Sequence, residues 1–156
     1  SQSHQGEHVS HSFLIEPGRW TLQGSWLARD LLPITVKGKI LVAWNSSDWF
    51  TMVTKLVFPN GELEDIALQY KGRIAAGDRQ YTFVLQHSML GRVEGEGWLA
   101  PSSIVQQYWA LQDRHMRTGF ETLYRLSPNR YHFSGGIMTG HHLTSTMEAV
   151  VERHQG

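Results

Sequence analysis

The chain predicts an all-β protein, an antiparallel up-and-down β-barrel of about eight to ten strands. Three observations predict it. Apolar and polar residues alternate with period two through one segment after another from residue 18 to residue 153. Turn-forming clusters rich in Pro, Asn, Asp and Gly separate these segments at intervals of roughly 10 to 14 residues. No stretch after the first dozen residues carries an amphipathic helical period. Closure into a barrel is preferred over a sandwich because it alone removes exposed sheet edges.

The first segment, 18–29, puts Trp20, Leu22, Gly24, Trp26 and Ala28 on one face and Arg19, Thr21, Gln23 and Ser25 on the other. The run from Leu31 to Pro33 ends it. Segment 34–44 opposes Ile34, Val36, Gly38, Ile40, Val42 and Trp44 to Thr35, Lys37 and Lys39. A turn around Asn45 leads to segment 49–58, with Phe50, Met52, Leu56 and Phe58 on the apolar face. Pro59, Asn60 and Gly61 close a hairpin, since Asn-Gly tolerates positive φ.

Segment 62–74 keeps Ile66, Leu68, Tyr70 and Ile74 in register, and segment 79–89 does the same for Tyr81, Phe83, Leu85, His87 and Met89. The glycines of 91–99 mark bends or close backbone approaches, the means by which small barrels turn corners. Segments 103–111, 115–126, 130–137 and 142–153 complete ten strands.

At 156 residues the chain is long enough for one domain with a real core. A flexible N-terminal segment, 1–12, precedes a barrel domain, 13–156. Within that segment His4, His8 and His11 would share a face if it were helical, but no fourth ligand is evident, and no metal is expected. There is no cysteine, which excludes disulfides and thiolate chemistry. Lys plus Arg and Asp plus Glu number 14 each, so there is no net field to attract nucleic acid or an anionic membrane. Apolar runs are too short for membrane insertion, and the expected location is cytoplasmic.

Parity selects the candidate ligand-binding residues. With Trp20 pointing inward, so do Trp26, Phe50, Met52, Phe83, Leu85 and His87, all of which serve equally well as plain core. His87 differs, because a buried imidazole needs a partner or must stay neutral. A polar group also gathers at Glu94, Glu96, Gln106, Tyr108, Arg114, His115, Arg117 and Glu121. Arg117 could fork a ligand carboxylate or pair with Glu94, Glu96 or Glu121.

No GxSxG, Walker, Rossmann or HExxH pattern is present. The catalytic candidates are therefore His87 with Tyr108 or Glu121, a set suited to general acid and base work in an isomerase, cyclase or hydratase. The leading expectation is a non-enzymatic barrel that binds a hydrophobic or amphipathic small molecule, and the enzyme is the alternative. Trp49, Trp98 and Trp109 fall on the outward parity, which makes a homodimer an expectation as well.

Gly18, Arg19 and Trp20, leading straight into the first strand, resemble the glycine-any-tryptophan signature of the calycin superfamily, which includes lipocalins, fatty-acid-binding proteins and nitrobindin-like haem barrels. The resemblance implies that Trp20 plugs one end of the barrel. It also implies an arginine from the end of the last strand packed over that ring, Arg153 or alternatively Arg125. The stretch Met138 to Leu143 is similar to the final strand of nitrobindin-like barrels, which would make His142 a ligand to haem or another tetrapyrrole. The chain departs from that pattern in lacking a further glycine pair after Trp20, and bulky Trp26 stands where cavity space would be.

Overall fold

A computed structural model describes residues 11–45 and 47–155. Ten strands follow one another: β1 (Gly18–Ala28), β2 (Ile34–Trp44), β3 (Trp49–Val57), β4 (Ile66–Arg73), β5 (Gln80–His87), β6 (Gly91–Leu99), β7 (Ser103–Ala110), β8 (Arg117–Ser127), β9 (Arg130–Thr139) and β10 (His142–Arg153). Each pairs antiparallel with its neighbours in sequence, and β1 pairs with β10, from Trp20 opposite Arg153 to Ala28 opposite Ser145. The result is a closed up-and-down barrel without a free edge. Among the described residues no helix is long and apolar enough to cross a membrane.

Period two dictates the interior. In β3 the buried residues are Phe50, Met52, Thr54 and Leu56, and in β5 they are Tyr81, Phe83, Leu85 and His87, while every intervening residue is exposed. Trp49, Trp98 and Trp109 point outward at 38%, 56% and 37% exposure, and Lys71 Nζ lies 5.4 Å from the Trp49 ring.

Two strand starts differ from the sequence expectation by more than one residue. Alternation in the fourth strand begins only at Ile66, because Gly61 turns with φ of 78° and residues 62–65 stay in the loop. The eighth strand begins at Arg117 rather than at 115, since the Asp113 carboxylate accepts the backbone N–H groups of His115 (3.3 Å) and Arg117 (3.0 Å) and holds a turn there.

Glycines in the wall make room for aromatic rings. A β-carbon on Gly97 would overlap Tyr81, one on Gly95 would overlap Phe83, and one on Gly119 would overlap Tyr108. Each ring lies across the backbone of the next strand. The corners read from the glycine spacing of β6 are thus places where the wall thins so that large rings can fill the lumen.

One end is closed. Trp20 is 1% exposed and touches Phe13 (5.1 Å between ring centroids) and Tyr131 (5.8 Å), both edge-on. The Arg153 guanidinium sits 4.7 Å from the Trp20 ring and reaches Glu16 at 3.3 Å. Residues 11–17 cross this end. Trp44 Nε1 donates to the Leu14 carbonyl (2.8 Å), and Ser12 Oγ donates to the Pro128 carbonyl. His11 is buried, its Nε2 donating to the Ala100 carbonyl (2.7 Å) and its Nδ1 accepting from Tyr131 Oη (2.9 Å). His11 and Ser12, read from sequence as the end of a flexible segment, are thus fastened to the barrel, because an aromatic plug needs a lid over its outer side. His4 and His8 lie outside the described residues.

Candidate functional site

Strand polarity places Trp26, Leu56, Ile66, His87, Tyr108 and Arg117 toward the end opposite Trp20. There the interior opens into a cavity of about 60 Å³ whose lining includes Trp26, Leu56, Leu68, His87, Tyr108, Glu121, Phe133, Gly135 and Met147. Between it and the plug the lumen is filled: Phe50 meets Tyr81 edge-on at 5.9 Å, and Tyr70 meets Phe83 at 5.5 Å. Phe50, Met52, Phe83 and Leu85, expected as ligand contacts, do not line the cavity. They are core, because rings laid over wall glycines consume the space that a wider barrel would leave.

The cavity's polar groups are held by a chain that starts in this core. Tyr81 Oη donates to Gln106 Oε1 (2.5 Å), so the Gln106 amide nitrogen faces Glu121 and donates to its Oε1 (2.5 Å). Gly135, on the neighbouring strand β9, is what lets the Glu121 side chain lie there, since a β-carbon on it would come within 2.9 Å of Glu121 Cβ. The second carboxyl oxygen of Glu121 has no hydrogen-bond partner among the described residues. Burial pushes the Glu121 carboxyl up to about 7, against the opposing pull of the Gln106 hydrogen bond. Burial, with Glu121 nearby, likewise raises the phenols of Tyr70, Tyr81 and Tyr108, which stay protonated.

His87 is fixed differently. The backbone N–H groups of Met89 (3.1 Å) and Leu90 (3.3 Å) both point at its Nδ1. Nδ1 must therefore be an acceptor, and the neutral ring carries its proton on Nε2. Burial, helped by the Arg117 charge, brings the imidazole down to about 4, so this state holds through the neutral range. His87 thus offers the cavity an N–H donor and no free basic nitrogen. No hydrogen bond joins it to Tyr108 or Glu121 among the described residues.

Arg117 stands half-buried at the mouth, and its fork is already occupied. Nε donates to Asp113 Oδ2 (2.8 Å) and one terminal nitrogen to Oδ1 (3.2 Å), which holds the Asp113 carboxyl well below its ordinary range. Its partner is neither Glu94, Glu96 nor Glu121, the carboxylates weighed from the sequence. Glu94, Glu96, Arg114 and His115 are exposed.

His142 does not reach the cavity. It opens β10 opposite Thr139, and the register shift between Leu143 and Ser145 interrupts the inward alternation of that strand, leaving the imidazole exposed at the rim. A haem held through His142 therefore does not fit this interior, whose free volume is also far below that of a tetrapyrrole. Among the described residues no cluster of three His, Asp or Glu could hold a metal ion.

Of the sequence candidates, the cavity brings together Trp26, His87, Tyr108 and Glu121. Sequence reasoning missed Phe133, Gly135 and Met147, and did not single out Gln106 for the role of orienting Glu121. Shared parity of Gln106 with Tyr108 was the available signal, and only strand register shows that Gln106 stands directly across from Glu121.

Closed ten-stranded topology with a tryptophan plug capped by a terminal arginine defines a calycin-like β-barrel. Among solved structures the chain is similar to Rv2717c from M. tuberculosis, with a TM-score of 0.69 at 11% identity over 99% of each chain. It is also similar to the S-type phycobiliprotein lyase CPES from Guillardia theta, with a TM-score of 0.64 at 13% identity over 96% of this chain and 98% of that one. No protein-family model matches the chain, and no curated protein matches it in sequence. At such identities the likeness is one of fold.

Proposed function

We propose that this barrel binds an amphipathic small molecule at its open end, with the polar head in the cavity and the apolar body resting on the mouth. One observation carries the reading: an apolar cavity holds a fixed N–H donor, His87 Nε2, and a carboxyl oxygen of Glu121, both without partners among the described residues. Polar atoms of buried side chains that open onto an apolar cavity in this way give an entering molecule bonds to complete. The volume limits what enters. Ligand pockets for drug-sized molecules run to roughly 300–1,000 Å³, whereas 60 Å³ takes only a head group.

Ser145→Phe tests this, because the new ring would fill the mouth from a half-buried lining position. Titration with octanol and octylamine, followed by calorimetry, should show binding to the wild type and none to the folded variant. Equal binding to both proteins would remove the cavity from the account.

A second reading is proton transfer on an enclosed substrate, as in an isomerase, cyclase or hydratase, and it is favoured by the Glu121 carboxyl near neutrality. In it Glu121 is the acid and base, and His87 and Tyr108 are hydrogen-bond donors. Deuterium exchange into small enolisable ketones should then be faster with the wild type than with Glu121→Gln. Identical exchange rates would sink this reading.

A further inference from the structure

The charge arrangement around the cavity says more about its ligand than its shape does. Among the described residues Glu121 is the one carboxylate that lines the cavity, and no lysine or arginine lines it. Arg117, whose charge acts on His87, has its guanidinium committed to Asp113 through two side-chain bonds. Trp26, Tyr108 and Phe133 add aromatic rings to the same wall. The acceptor is aimed by design of the strand register: Tyr81 fixes Gln106, Gln106 occupies Oε1, and the remaining oxygen is the one left open.

We infer that the cavity selects a protonated amine head group and rejects carboxylates. The inference rests on the cavity being the binding site, and goes on to name the class of ligand. An ammonium placed there would donate to the open Glu121 oxygen and lie among aromatic faces, where a cation is attracted by the ring quadrupole. The His87 N–H would be met by a hydroxyl or water oxygen beside that nitrogen. A carboxylate in the same place would face Glu121, and the Arg117 charge that reaches this end is already paired with Asp113, in a site too apolar to screen the repulsion. At about 60 Å³ the cavity takes a small head group and leaves the alkyl chain outside.

Geometry alone sets the preference, and protonation sets its pH dependence. With the Glu121 carboxyl at about 7 in the empty cavity, an alkylammonium, which keeps its proton to above pH 10, would bind the ionised carboxylate and release a proton below neutrality. Affinity should rise about tenfold from pH 6 to pH 8 and then level off.

The experiment compares octylamine, octanol and octanoate on the full chain by calorimetry at pH 6 and pH 8, for the wild type and Glu121→Gln. The expected result at pH 8 is wild-type affinity for octylamine at least tenfold above that for octanoate. In Glu121→Gln both that ratio and the pH dependence should collapse. Because the pH profile is read on the unaltered protein, it holds even if the variant does not fold. Octanol and octanoate binding as tightly as octylamine would overturn the amine preference and leave the binding reading standing. No binding of any of the three would overturn both.

Discussion

Gln106 donates a 2.5 Å hydrogen bond to Glu121, and the direction of that bond is set one step away, by the hydroxyl of Tyr81 donating to the other end of the same amide. Turned over against the ionised carboxyl, the amide would set its oxygen against a carboxylate oxygen, so the charged form of Glu121 holds it in this direction. A carboxyl otherwise free to rotate in an apolar lumen is therefore presented to the cavity in one orientation. Orientation does not remove the cost of burying its charge.

That cost is measurable. A folded-state value near 7 against an ordinary 4.5 means that ionised Glu121 opposes folding by on the order of 3 kcal/mol. The folded value is raised, so the favourable contribution is complete below about pH 4.5 and is lost as pH rises through 7. Glu121→Gln should be about as stable as the wild type at pH 4.5 and more stable at pH 8, by about 2 to 3 kcal/mol in urea denaturation. A difference that does not change with pH would refute the assignment.

His87 has the opposite sign. Its folded value, about 4, lies below the ordinary 6.5, so its contribution is full above pH 6.5 and is lost as pH falls toward 4. His87→Gln should be less stable than the wild type at pH 8, because Met89 and Leu90 lose a well-placed acceptor. The gap should narrow by roughly 2 kcal/mol between pH 6.5 and pH 4.5. Urea midpoints across that range test it, and a constant gap would contradict the buried neutral imidazole.

Gly119 and Tyr108 should behave as one unit. A β-carbon at 119 would overlap the Tyr108 ring, so Gly119→Ala should cost about 1 to 3 kcal/mol or more by overpacking. Tyr108→Ala removes the ring and with it the clash. In the double variant the two losses should fall short of additivity by more than about 1 kcal/mol. Simple additivity would show that the ring does not lie across that glycine.

At the closed end, Arg153→Ala should lower stability by about 1 to 2 kcal/mol through the lost contact with Trp20 and Glu16. Trp20→Ala, which empties the plug, should cost about 3 to 5 kcal/mol. Arg153→Lys should recover only part of the loss, since a lysine ammonium lacks the planar face that stacks on indole. Denaturation midpoints order the three variants, and a neutral Arg153→Ala would show that the ring needs no cover.

Properties that depend on neighbours along the chain were legible in the order of the residues. Strand identity, inward parity and turn positions follow from period two and from residues with special backbone preferences, which is why Trp20, Trp26, His87 and Tyr108 could be placed inside. The pairing of Trp20 with Arg153 at the closed end was legible through the resemblance to a family with a tryptophan plug. Tertiary structure decided everything that depends on register between strands. Register set Gln106 opposite Glu121, laid Tyr108 over Gly119, and let the β10 bulge leave His142 at the rim. It also filled much of the lumen and left the small cavity beside Glu121. Parity tells a side chain which face to occupy. How much room remains on that face depends on the volumes of residues far apart in sequence, and those meet only once the barrel closes.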